Sequence, residues 1–178
     1  MSEESKDFFD LPSPPKDRSM SFVRMQTSKF IRDRDISSLS NHLDVTTLSY
    51  HVDWFVDFNH KEIRGRIDLN MQVLTMLSLS TVVLDNQSLQ IDRITHQDKD
   101  LKFENLVVEG KEALGKALTI YLDREIETDV KFTLTIYYKT TKDTTSMSWL
   151  EPEMTFGKKE PFIFSQCEMI NARSLAPL

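Results

Sequence analysis

The chain has 178 residues, enough for one domain with a true core, and with 39% hydrophobic residues and only four glycines it is neither collagen-like nor uniformly disordered. A formal net charge of -6 excludes the basic face that a nucleic-acid backbone requires, and the richest basic stretch, 16–34, is interrupted by Asp17, Asp33 and others. No apolar run reaches the roughly 18 residues that span a bilayer; residues 1–6 are acidic and polar without a hydrophobic leader, and the single cysteine, Cys167, precludes an intrachain disulfide, so a cytoplasmic protein is expected.

Residues 1–45 are rich in Ser, Asp, Lys and Arg without sustained alternation, a composition that predicts a disordered or partly helical N-terminal tail. Within it Pro12, Pro14 and Pro15 favour polyproline II, read as a stiff linker ahead of an SH3-type ligand. Phe22, Val23, Met25, Phe30 and Ile31 form one irregular apolar stripe, read as a transient helix.

Order is expected from Thr46. Apolar residues then fall on even positions, Leu48, Tyr50, Val52, Trp54, Val56 and Phe58, a period of two that predicts a half-buried strand. After the polar turn 59–61 they move to odd positions, Ile63, Gly65, Ile67, Leu69, Met71 and Val73, so the two stretches predict a long antiparallel hairpin. Gly65 falls on the inward side, where it either leaves room for Trp54 or marks a bulge. Further strands are predicted at 81–85, 89–94, 101–108, 118–122 and 129–138, separated by polar turns. No stretch shows a convincing helical period. The fold class expected for 46–178 is therefore all-β, an antiparallel β-sandwich or saddle-like mixed sheets. Four histidines, His42, His51, His60 and His96, are scattered over tail, strand, turn and loop, and none is spaced from another as a zinc pair requires.

The last stretch, 149–178, is the most distinctive. Trp149, Leu150, Pro152, Glu153, Thr155, Gly157, Lys158, Pro161, Phe164, Ser165, Gln166, Cys167, Arg173 and Pro177 occur in an order that resembles the N-terminal domain of the gluzincin zinc aminopeptidases, in particular the leukotriene A hydrolase branch with its aminopeptidase and epoxide hydrolase activities. Val56, Asp57 and Phe58, then Gly65, then Val83, Leu84 and Asp85 with Leu89 and Ile91 extend the resemblance more loosely over 46–177.

The resemblance implies a division of labour. The zinc motif H-E-x-x-H and the exopeptidase motif G-x-M-E-N are absent from this sequence, so the chain is expected to have no catalytic or metal-ligating residue and no cofactor, the zinc residing in a catalytic domain not present here. It also implies one substrate-binding segment, where Gln or Glu meets the free amine of a peptide N-terminus: Glu168, flanked by Met169 and Ile170. The resemblance further implies that Glu168 in place of Gln favours aminopeptidase over epoxide hydrolase chemistry, and that Met169 in place of a small Ala narrows the first substrate pocket or changes its preference. Cys167 is read as packing, Arg173 as an ion-pairing structural residue, and Trp149 and Phe164 as core aromatics.

The family continues beyond the position of Leu178, so 46–178 is expected to lack its C-terminal strands. That leaves an open sheet edge and a bared apolar face, which favour self-association. The alternative reading is a stand-alone β-sandwich interaction module or a non-catalytic short isoform.

Overall fold

The computed structural model describes residues 34–178; the proline motif and the apolar stripe expected in the tail lie outside them. Ten strands follow one another: β1 (Val45–Asp57), β2 (Glu62–Val73), β3 (Leu79–Asn86), β4 (Leu89–His96), β5 (Lys99–Asp100), β6 (Lys102–Val107), β7 (Lys116–Ile126), β8 (Lys131–Thr140), β9 (Met147–Leu150) and β10 (Phe162–Ser165). They form a five-stranded sheet in the order β1-β2-β8-β4-β5, a three-stranded sheet β3-β7-β6 and the hairpin β9-β10, with every pairing antiparallel. The all-β expectation holds, and no helix among the described residues is long and apolar enough to cross a membrane.

The core lies between the two larger sheets. Ile67, Leu69 and Met71 of β2 and Leu134, Ile136 and Tyr138 of β8 belong to one buried cluster with Val82 and Leu84 of β3 and Leu118 and Ile120 of β7. Each such side chain contributes about 1.5–3 kcal/mol by leaving water. The alternation that predicted β2 and β8 is thus the alternation of one wet and one dry face.

The first strand departs from expectation. Its even residues after the turn of register share a face with the core residues of β2, since Val52 stands opposite Ile67 and Trp54 opposite Gly65. Yet Tyr50 is 63% and Trp54 46% exposed. Periodicity reported the shared face correctly, but the strand lies at the sheet edge, so the face is not half-buried there. A register shift between Thr47 and Ser49 also changes the phase of alternation: Val45 is buried, whereas Leu48 falls at the irregularity and is largely exposed.

Two further corrections concern positions. Residues 35–44, included in the predicted tail, pack on β3: Leu39 is buried, its N–H donates to Asp85 Oδ1 at 2.7 Å, and the Asn41 N–H donates to Val83 O at 3.3 Å. His96, assigned to a loop, is the last residue of β4 and is buried, with Nδ1 3.0 Å from Asp123 Oδ1 on β7. That contact bridges the two larger sheets, and the hydrogen bond from His96 holds the Asp123 carboxyl below its ordinary range.

Gly65 marks no bulge. A Cβ there would stand 2.5 Å from Tyr138 Cζ, while Trp54 Nε1 donates to Tyr138 Oη at 2.8 Å. The missing side chain therefore makes room for the tyrosine ring under the tryptophan. Gly65→Ala is expected to cost about 1–3 kcal/mol through forced displacement of that ring, measured as a lower urea midpoint with an unchanged slope. Burial also pushes the Tyr138 phenol up to about 12. The folded state keeps a proton that the unfolded chain releases near pH 10, so this contribution is complete below pH 10 and is lost as pH rises toward 12, about 3 kcal/mol in all. Urea titrations between pH 9 and 12 should show a larger loss in the unsubstituted protein than in Tyr138→Phe.

Candidate functional site

The segment carrying the candidate residues leaves β10 and is tied down by backbone contacts. β10 pairs with β9 in the register Phe162 with Leu150 and Ser165 with Met147, and the next amide, Gln166 N–H, donates to Ser146 O at 2.8 Å. The chain then turns: Asn171 N–H donates to Cys167 O at 3.0 Å, and Asn171 Nδ2 donates to Glu168 O at 3.1 Å. A single 3-10 turn, Asn171–Ser174, follows.

Arg173 fixes this turn to the rest of the domain. It is buried, and its guanidinium donates to three carbonyls: Ile170 O at 2.9 Å, Leu114 O at 2.9 Å and Ser37 O at 2.7 Å. Its Nη1 also lies 3.4 Å from Asp85 Oδ1, and Asp85 accepts from Ser38 Oγ and the Leu39 N–H, each at 2.7 Å. Asp85 and Leu178 exchange backbone hydrogen bonds of 2.6 and 3.2 Å. The planar five-donor head of arginine suits such a hub, because each carbonyl needs a donor in a fixed direction. The structural role read for Arg173 is what the contacts describe.

On this fixed base the three predicted site residues are displayed, not enclosed. Glu168 is exposed on a loop, and its carboxylate has no hydrogen-bond or ionic partner among the described residues. Met169 is 96% exposed and Ile170 is half-buried. The Glu168–Met169 peptide bond is cis. The preceding hairpin presents apolar surface: Met154, Phe156 and Phe162 help line a recess of about 620 Å³ with Leu150 and Pro161. Phe164 is 46% exposed and so is not a core aromatic; its strand belongs to a two-stranded hairpin. Trp149 is half-buried and meets the Phe58 ring edge-on at 5.5 Å. Cys167 is half-buried, not fully packed.

Among the described residues no three His, Cys, Asp or Glu side chains are grouped to hold a metal ion, and the pair of buried His96 and exposed Asp123 is joined by Lys99, a cation. The residues present do not fit a zinc site. The His96 pair was missed in the sequence because its members are 27 positions apart and belong to different sheets.

Comparison with known proteins bears on this geometry. A family model described as the peptidase M1 N-terminal domain matches residues 46–178. Leucine aminopeptidase 2 of Phaeosphaeria nodorum is 32% identical over 144 residues, covering 81% of this chain and 23% of that protein. Leucine aminopeptidase 2 of Yarrowia lipolytica is 34% identical over 145 residues, covering 82% and 22%. The solved structure of native leukotriene A4 hydrolase from Saccharomyces cerevisiae superposes with a TM-score of 0.73 at 29% identity, covering 84% of this chain and 23% of that one. The chain therefore spans about a quarter of the length of these relatives.

Proposed function

The chain belongs to the peptidase M1 N-terminal domain family, and on that premise we propose that it is the substrate-capping lobe of a zinc aminopeptidase of the leukotriene A hydrolase type, contributing amine binding but no catalysis by itself. The observation that carries this reading is the unspent carboxylate of Glu168 on an immobilised loop. An acid that serves the fold is normally consumed by the fold, as Asp85 is. Glu168 instead leaves both oxygens available, and a peptide ammonium has three charged donors to offer them. Met169 and Ile170 flank the amine, and the width they leave sets which first side chain is accepted. Exposed Met154, Phe156 and Phe162 supply apolar surface for the remainder of the parent protein to pack against.

On this reading the zinc supplies the activated water from outside the present sequence. The role of the residues here is to hold the substrate's end and to select for a free amine. The single thiol, which permits no intrachain disulfide, suits a cytoplasmic location. A stand-alone interaction module is the second reading, favoured by the uncovered edge of β1.

The test compares the chain alone with the same chain continued into its zinc-bearing remainder. Aminoacyl reporter substrates should be hydrolysed only by the complete protein, and N-acetylated versions should be refused by it. Hydrolysis by the 178-residue chain alone, or equal turnover of acetylated substrate, would overturn the proposal.

A further inference from the structure

We propose that the free edge of β1 pairs with the same edge of a second copy, antiparallel and centred on Val52, to give a closed twofold dimer. This does not rest on the enzymatic reading above. Among the described residues β1, thirteen residues long, pairs with β2 along one side only. A long open edge is ordinarily blunted by lysine, proline or brevity; β1 contains no Lys, Arg or Pro. Its edge is also sticky on both faces, with Tyr50 and Trp54 exposed toward the core side and Phe55, 63% exposed, on the other.

The sequence of β1 selects the occupant and the register. In antiparallel pairing of two identical strands, outward-directed amides must face outward-directed amides, so only registers joining residues of equal parity are allowed. Centring on Val52 sets His51 opposite Asp53 of the second copy, twice by symmetry, and Tyr50 opposite Trp54, also twice. Moving the axis to His51 sets histidine against histidine, and moving it to Asp53 sets carboxylate against carboxylate. The irregularity between Thr47 and Ser49 limits the straight part of the edge at Ser49, and the mirror position about Val52 is Phe55. The register that sets imidazole opposite carboxylate thus uses the whole regular stretch 49–55.

Closure follows from the other end of the sheet. There the edge strand is β5, two residues long, with Lys99 and Asp100 both exposed. Such an edge is too short and too charged to propagate head-to-tail growth, so β1 against β1 ends as a dimer instead of a filament. The two Tyr50–Trp54 pairs lie on the core-side face, where both rings remain in solvent, and the two His51–Asp53 pairs lie on the opposite face.

Sedimentation velocity over a concentration series of the full 178-residue chain should show a reversible monomer–dimer equilibrium. His51→Asp, which sets two like-charged pairs across the axis, should raise the dimer dissociation constant about tenfold, and adding Asp53→His should restore it. In a Cys167→Ser background, mild oxidation should cross-link Val52→Cys to itself, because position 52 faces its own copy. Phe55→Cys should not cross-link to itself but should cross-link when mixed with Ser49→Cys. A chain that stays monomeric up to its solubility limit would overturn the proposal. So would a dimer that tolerates His51→Asp and leaves Val52→Cys reduced.

Discussion

Glu168→Ala in the complete parental protein should lower kcat/KM on aminoacyl reporter substrates by about 10- to 100-fold. That is the loss of one hydrogen bond to a charged group, about 1.5–3 kcal/mol, with tenfold for every 1.4 kcal/mol. Because the ammonium is present from the first encounter, much of the loss should appear as a higher KM with kcat retained, the signature of binding that is uniform along the reaction. Glu168→Gln, which keeps an acceptor but drops the charge, should fall between the two. The discrimination between free and acetylated substrates should shrink together with the activity, since the acetylated form never used the carboxylate. Thermal stability should stay within about 0.5 kcal/mol, because that side chain has no partner among the described residues and surface changes of this kind are nearly neutral. Unchanged kinetics would remove Glu168 from the site, and an accompanying loss of stability would mean that the acid serves the fold.

Arg173→Met should destabilise the domain by about 3–5 kcal/mol, a large share of the roughly 5–15 kcal/mol that holds a domain of this size together. The cost arises from what is left behind. Asp85 would keep its two donors from Ser38 and Leu39 but lose the cation beside it, and the carbonyls of Ile170, Leu114 and Ser37 would lose their donor in a place where water reaches poorly. Urea unfolding gives the total. Hydrogen exchange of the amides of Leu175 and Ala176, both bonded to Ala172 O, reports whether the turn opens first. Asp85→Asn in the Arg173→Met background should recover part of the loss, since it removes the stranded charge. A penalty under about 1 kcal/mol would mean that the hub is replaceable by solvent.

Much of this architecture was readable from alternation alone, and the reasons for the exceptions are physical. The inward positions of β2, Ile67, Leu69, Met71 and Val73, are all buried, as a period of two demands of a strand covered on one side. The same period in β1 identified residues sharing a face but not whether anything lies over it. That depends on the width of the opposing sheet, a property of strands far away in sequence. Residues 35–44 look like tail because they dock chiefly by hydrogen bonds to Asp85, Val83 and Thr81, which leave no hydrophobic pattern. The β9-β10 hairpin escaped for a related reason: four residues per strand are too few to establish a period. The candidate site was the least legible part. Nothing in the residue types around Glu168 distinguishes it from any solvated acid, and only the likeness of 149–178 to a family singled it out.

The guanidinium of Arg173 reaches the carbonyl of Ser37 across 136 positions of sequence. During synthesis the two partners leave the ribosome far apart in time, so both larger sheets can assemble while the strand-flanking stretch near Ser37 still waits for its clasp. Loop closure over such a span is entropically costly and therefore comes late. The nascent domain should accordingly be open to protease around 35–41 until the final turn emerges, and shut soon afterwards.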